Sequence, residues 1–255
     1  VQPAFRMLGR IRVDTDGAGP SEVSGIKARS LLAALLVQAN RVVGIDSLMA
    51  TLWEGEPPRS AVANIRTHAS ALRSRLPDPG ALVGGSGGYE LRVRPEQCDH
   101  LVFLGDATEG RAALDARDPA RAAQRLSAAL ALWGGDFAAP GVPRLGTLAG
   151  RLAHLDEERM RVVEDLAETY LALGEPRAAL RDLTALLASA PLRGRGWALR
   201  MRAHHRLGEL GTVTDTFRAA TAAYRSELGI APDRELRILH ASLTGQAAGQ
   251  PLVSH

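Results

Sequence analysis

Apolar positions change period several times along the chain. In the first 13 residues, Ala4-Phe5-Arg6-Met7-Leu8-Gly9-Arg10-Ile11-Arg12-Val13 reads as two short strands, with Gly9 as the turn or bulge between them. Arg10 to Val13 alternates polar and apolar, as a half-buried strand does. Residues 14–25 are rich in Asp, Gly, Ser and Pro and predict a loop with a short strand at 21–23. Over 27–39 the period becomes helical, and Leu31, Leu32, Leu35 and Leu36 share one face. Asn40 ends that helix and 41–45 is a short β-like segment. Asp46 is the predicted N-cap of a second helix whose apolar face is Leu48, Met49, Leu52 and Trp53. Residues 54–58 stop it, and Pro58 suits the first turn of a third helix over 59–76.

That third helix is the most informative element. Val62, Ile65, Ala69, Leu72 and Leu76 fall on one stripe at 100° per residue. The opposite stripe is Ser60, Ala63, Thr67, Ser70, Ala71 and Ser74, all small or bearing a short hydroxyl. Asn64 and Arg75 flank it, while Arg66 and Arg73 lie nearer the core edge on stems long enough to reach outward. A solvated helix face ordinarily carries Glu, Lys and Gln. A face of small residues edged by arginine permits close approach to something bulky and negative, and the major groove of DNA admits one α-helix. Two strands follow, 81–83 and 89–94, joined by Gly84-Gly85-Ser86-Gly87-Gly88, with Tyr89, Leu91 and Val93 on one side of the second. Strands, three helices and a hairpin in that order predict a helix-turn-helix with a β wing.

From Asp99 onward strand signals vanish. Helices are predicted over 99–116, 119–132, 147–173, 176–189, 194–207, 210–227 and 233–244, with a long loop over 132–140. Leu173-Gly174-Glu175 recurs as Leu207-Gly208-Glu209, an offset of 34 residues, the tetratricopeptide period. Asp118-Pro119-Ala120-Arg121-Ala122-Ala123 resembles Glu175-Pro176-Arg177-Ala178-Ala179 and suggests a further unit. Stacked helix pairs of this kind bury their apolar faces on their neighbours and present surfaces to other chains. The fold class is therefore mostly α with a small β component: an N-terminal winged helix-turn-helix over 1–95, an all-α tetratricopeptide-like repeat domain over 96–245, and a flexible tail over 246–255.

Composition sharpens this division. The net charge of +3 is uneven: residues 1–95 carry +4 and the rest −1, which places any polyanion partner on the first part. Lys27 is the only lysine among 31 basic residues, a bias typical of a GC-rich genome. A single cysteine, Cys98, forms no internal disulfide and fits a reducing, cytoplasmic setting. No apolar run approaches the ~20 residues of a membrane helix. The first residue is Val1, so a trimmed start is expected, and no basic-then-apolar leader opens the chain. Gly84–Gly88 satisfies the G-x-S-x-G pattern of a hydrolase, but that nucleophile leaves a strand for a helix, whereas here a strand follows; a flexible wing tip is the reading preferred. There is no phosphate-binding G-x-x-x-x-G-K-[ST] motif. None of the seven histidines stands at zinc spacing, so no metal, cofactor or catalytic residue is expected. Asp156-Glu157-Glu158 reads as a solvated face, and Trp53, Trp133 and Trp197 as core anchors.

Several segments together resemble the Streptomyces antibiotic regulatory protein (SARP) family: Lys27-Ala28-Arg29-Ser30-Leu31-Leu32-Ala33-Ala34-Leu35-Leu36, Ala39-Asn40-Arg41-Val42-Val43, Leu52-Trp53, Pro57-Pro58, Leu72-Arg73 and Gly87-Gly88-Tyr89-Glu90-Leu91-Arg92-Val93. So do Leu130-Ala131-Leu132-Trp133-Gly134-Gly135 and Glu227-Leu228-Gly229-Ile230-Ala231-Pro232, and the resemblance spans about residues 4–245. It implies an OmpR-type winged helix joined to a bacterial transcriptional activator domain, in a small member of the family. It implies activation of an antibiotic or other secondary-metabolite gene cluster, binding to direct repeats near promoters as a homodimer, and contact with RNA polymerase. The chain departs from the family at Ala71 and at the wing tip, where arginine, or at the tip proline, is common.

The residues expected nearest the bases are Ser60, Asn64, Thr67 and Ser70. Arg66, Arg73 and Arg75 are expected on phosphates or a guanine edge, and Arg92 or Arg94 on the backbone or minor groove. Glu54 and Glu56 occupy the position where winged-helix activators touch polymerase. The second domain is expected to dock on the first and to bind partner subunits or a small-molecule effector. The competing reading is a tetratricopeptide adaptor with a degenerate winged helix that binds no DNA.

Overall fold

The computed structural model describes residues 3–15, 19 and 21–245; the predicted tail 246–255 lies outside them. The fold is mostly α with a small β component, a winged helix followed along the chain by tetratricopeptide-like helices. Three strands open it, β1 (Phe5–Arg6), β2 (Arg12–Val13) and β3 (Ser21–Glu22), antiparallel in that order with Phe5 opposite Val13 and Arg12 opposite Glu22.

Helix α1 (Ile26–Leu36) is buried at every position from Ser30 to Leu36, which makes it the centre of the winged helix. It stops three residues before the periodicity predicts. Asn40 adopts φ 63°, its amide donates to the Leu91 carbonyl at 2.9 Å, and its side chain pairs with both backbone groups of Val93. After β4 (Val43–Gly44), helix α2 (Ile45–Leu52) starts two residues earlier than predicted. Gly44 is its N-cap, and Asp46 sits in the first turn, where a carboxylate still favours the positive helix end. Trp53 is extended rather than helical; the Lys27 ammonium donates to the Leu52 carbonyl and lies 4.7 Å from the centre of the Trp53 ring. Helix α3 (Ala61–Arg73) is shorter than the predicted 59–76. Pro58 precedes it, accepting from the Ala61 amide in a turn, and Arg75 and Leu76 close a final turn onto Leu72 and Arg73. The hairpin β5 (Leu82–Gly85) and β6 (Gly88–Leu91) completes the wing, and β6 lies between β5 and β4.

Helices α4 (Asp99–Asp115), α5 (Pro119–Ala131), α6 (Gly146–Ala172), α7 (Pro176–Ser189), α8 (Gly194–Arg206), α9 (Leu210–Leu228) and α10 (Arg234–Thr244) follow, each within two residues of its predicted bounds. The chain divides into two compact units, 1–107 with 128–159, and 108–127 with 160–255.

In the first unit, the turn between β1 and β2 is sealed in. Met7 and Leu8 are buried, and both their amides donate to one oxygen of Asp99, at 2.8 and 2.9 Å. Their carbonyls accept from Ala139 and Gly134 of the 132–143 loop at 2.8 and 2.6 Å. That loop is held in turn by Asp156, which accepts from the Ala138 amide at 2.7 Å and from Arg144 at 2.6 Å. Asp156 and the buried Glu158 are therefore not the solvated face that their charge suggested. Trp133 meets Phe103 edge to face at 5.4 Å.

In the second unit, the 34-residue repeat is reproduced bond for bond. Glu175 donates to Tyr170 O and Glu209 to His204 O; Gly174 donates to Leu171 O and Gly208 to His205 O. Both glycines are left-handed, at φ 77° and 75°. Arg117 takes the same place before Asp118 and Pro119, with φ 57° and its amide donating to Leu114 O. Trp197 is 6% exposed and donates from its indole to Pro191 O at 2.8 Å.

Two stability experiments follow. Burial pushes the Asp99 carboxyl up to about 6 and the His100 imidazole down to about 4, from ordinary values of 3.8 and 6.5. For His100 the stabilising share is present above 6.5 and lost as pH falls through 4. For Asp99 it is present below 3.8 and lost as pH rises through 6, so the two slopes oppose one another in the acid range. Asp99→Asn keeps an acceptor for both amides and removes one slope. Urea titrations should show the variant losing roughly 3 kcal/mol between pH 6.5 and 4, while the wild type changes much less. In the repeats, Gly174→Ala should cost about 1–2 kcal/mol, and Arg117→Gly should raise stability by about 0.5 kcal/mol, since only the second relieves a left-handed side-chain clash.

Candidate nucleic-acid interface

The two stripes of α3 separate cleanly. Ala61, Ile65, Ala69 and Leu72 are buried, with Leu76 just beyond the helix end, while Ser60, Ala63, Thr67, Ser70, Ala71 and Ser74 are all exposed. The core stripe is what fixes this orientation, because apolar side chains at helical spacing leave the opposite side to solvent. Thr67 donates to the Ala63 carbonyl at 3.1 Å and Ser74 to Ala71 at 3.0 Å. Their hydroxyl protons are folded onto the helix and their lone pairs and methyl or methylene groups face outward. Asn64 makes a long contact, 3.4 Å, to the Ser60 hydroxyl. Ser70 is exposed, and its hydroxyl has no hydrogen-bond partner among the described residues.

The six arginines of the candidate surface do not stand alike. Arg66 is exposed, and its guanidinium has no hydrogen bond or ion pair among the described residues; neither does the guanidinium of Arg94. Arg92 pairs with Glu90 at 2.9 Å on the surface, an exposed contact that costs little to release. Arg75 donates to the Ser24 hydroxyl at 2.7 Å. Arg73 is half-buried and committed to the wing: its Nε donates to the Leu82 carbonyl at 2.9 Å, and its guanidinium lies 5.9 Å from the centre of the Tyr89 ring. Arg59, which the sequence pattern did not single out, is exposed at the approach to α3, beside Ser60.

The glycine run is built into the hairpin rather than forming a flexible tip. Only Ser86 and Gly87 lie between β5 and β6. A β-carbon on Gly84 would come within 2.8 Å of the Tyr89 ring and 3.0 Å of the Arg73 guanidinium. One on Gly88, at φ 151°, would overlap the Val43 carbonyl across the β4–β6 pairing. Ser86 has strand on both sides, unlike a hydrolase nucleophile, which must enter a helix. Glu54 and Glu56 are exposed in the link between α2 and α3, where Gly55 at φ 78° turns the chain. Cys98 is buried, and burial pushes its thiol up to about 12, so it is inert at neutral pH. No described helix is long and apolar enough to cross a membrane.

A winged helix followed by repeat helices is the architecture of a transcriptional regulator. Residues 98–244 match the bacterial transcriptional activator domain. The transcriptional regulator RedD of Streptomyces coelicolor is 32% identical over 95% of this chain and 70% of that protein. The regulatory protein DnrI of Streptomyces peucetius is 32% identical over 94% of this chain and 91% of its own length. The structure of Mycobacterium tuberculosis EmbR, in complex with a low-affinity phosphopeptide, matches with a TM-score of 0.87 and 30% identity over 97% of this chain and 65% of EmbR. The chain belongs to the Streptomyces antibiotic regulatory protein family of transcriptional activators.

The close approach at Gly88 gives a direct check of the wing. Gly88→Ala should separate β4 from β6 and cost roughly 2–4 kcal/mol, read as a lower thermal midpoint, whereas Gly87→Ala at the tip should be nearly silent.

Proposed function

We propose that the chain is a sequence-specific DNA-binding activator that lays α3 in the major groove of promoter DNA. Its domains are taken as a DNA-binding winged helix over 1–95 and an activator domain over 96–245. The single observation that carries the reading is the exposed face of α3, stripped of bulk along its whole length and bordered by the unpaired Arg66. Ser60, Asn64, Thr67 and Ser70 are the base-reading set. Arg66 and Arg94 are the readiest phosphate ligands, with Arg92 and Arg75 recruited by exchanging their surface partners for phosphate. Arg73 acts at the surface mainly by holding the wing against α3, with its outer guanidinium edge left for a phosphate. The net charge of the first 95 residues supplies long-range attraction to DNA.

The family membership supports the remaining steps. The chain occupies two direct repeats as a homodimer, in the cytoplasm, and activates a secondary-metabolite cluster. The exposed Glu54 and Glu56 meet RNA polymerase, and the repeat helices receive partner subunits or a small effector.

Titration of labelled promoter duplex by anisotropy over a range of salt tests this directly. Each phosphate contact contributes about 0.9 to the slope of log affinity against log salt. Arg66→Ala should lower that slope by about 0.9 with an unchanged thermal midpoint, and Ala71→Arg should raise it by about 0.9. Arg73→Ala should instead lower the thermal midpoint. A wild-type chain with no salt dependence and no preference over random duplex would favour the adaptor reading.

A further inference from the structure

A concave site lies in the first unit, away from α3. It is a cavity of about 390 Å³ between the 36–41 turn, α4 and α6. Ligand sites commonly fall in the range of about 300–1,000 Å³, mostly apolar with a few placed polar groups. Its floor is made by buried Leu36, His100 and Leu155, and its walls by half-buried Leu101 and Leu104. His100 is neutral there, because burial disfavours its charged form. The rim carries Arg41 and Arg151, both exposed. The Arg151 guanidinium makes only long contacts, 3.4 Å to the Val37 carbonyl and 3.5 Å to Gln38, and the Arg41 guanidinium has no hydrogen bond or ion pair among the described residues. No Asp or Glu lines the cavity. A polar groove in the second unit differs: there Arg111 and Arg195 are already neutralised by Asp165 and Glu168.

We infer that the cavity between the 36–41 turn, α4 and α6 binds a small molecule with an apolar body and one anionic group, of the aliphatic or aromatic carboxylate class. The apolar part displaces water from the leucine-lined floor, where burial of carbon is favourable. The anionic group lies at the rim, where two guanidiniums with vacant donors form charge-assisted hydrogen bonds. The absence of any lining carboxylate is what selects an anion over a cation or a zwitterion. The site is independent of the DNA reading, and its test uses the protein alone.

The probe is 1-anilinonaphthalene-8-sulfonate, whose ring system and sulfonate have the required chemistry, with N-phenyl-1-naphthylamine as its uncharged counterpart. Fluorescence titration of the full chain at neutral pH should show saturable binding of the sulfonate at one site, displaced by octanoate. The Arg41→Gln/Arg151→Gln double variant should bind the sulfonate at least about tenfold more weakly, the loss of one charge-assisted pair, while the uncharged probe is held equally well. Arg177→Gln/Arg225→Gln, two exposed arginines elsewhere, removes the same charge and should leave both affinities unchanged. Leu104→Arg, at a half-buried wall position, should weaken both probes. Equal sulfonate binding by wild type and the Arg41/Arg151 variant overturns the inference. So does the absence of saturable binding to the folded wild-type chain, or an equal loss in the Arg177/Arg225 variant.

Discussion

One buried carboxylate organises the first unit. Asp99 stands at the start of α4 and takes the amides of Met7 and Leu8, two donors that the turn between β1 and β2 would otherwise bury without partners. An unsatisfied buried amide costs on the order of 1–3 kcal/mol, so the turn can enter the core only where such an acceptor waits. With its amides held by Asp99, the same turn offers its carbonyls to the 132–143 loop, and Asp156 closes the far side of that loop. The order of these bonds explains why helices far along the chain belong with the first strands. It also explains why a charge is tolerated in a place where burial works against it.

The exposed face of α3 depends on this frame at one remove. Helix α1 is buried from Ser30 to Leu36, and α2 and α3 pack against it. The third helix cannot roll, since Ile65, Ala69 and Leu72 are committed to that core. Its far end is fastened to the wing through Arg73, Tyr89 and the Leu82 carbonyl. A surface of small side chains has little shape of its own. Its placement comes from the packing behind it, and Gly84 and Gly88 of the hairpin belong to that support.

Charge is used in two distinct ways across the molecule. In the second unit, Glu164 and Asp165 are buried and answered by Arg193, Arg111 and Arg195 at 2.6–3.0 Å, so their arginines are structural. On α3 and around the 36–41 turn, Arg66 and Arg41 are left without carboxylate partners. An arginine with vacant donors at the surface is available to an incoming anion, whereas a paired one must first break a bond. The distinction separates uncommitted arginines from structural ones in a chain whose basic residues are almost all of one type.

Local chemistry alone determined much of this protein. Apolar spacing placed all ten helices, and the alternation around Tyr89 placed the wing, because periodicity reports which side of an element leaves water. The repeated Leu-Gly-Glu marked the turns of the second unit, since a left-handed residue must end each first helix. What the sequence could not decide was the partner of each polar group. Asp156 and Glu158 look solvated in the chain and are structural in the fold; Arg73 looks free and is tied to the hairpin; Gly84 and Gly88 look loose and are sterically required. The end of α1 moved for the same reason, through Asn40 and a strand some 50 residues away. Hydrophobic periodicity is a property of one segment, whereas hydrogen bonds and close approaches join segments distant in the chain, and only the folded structure brings those together.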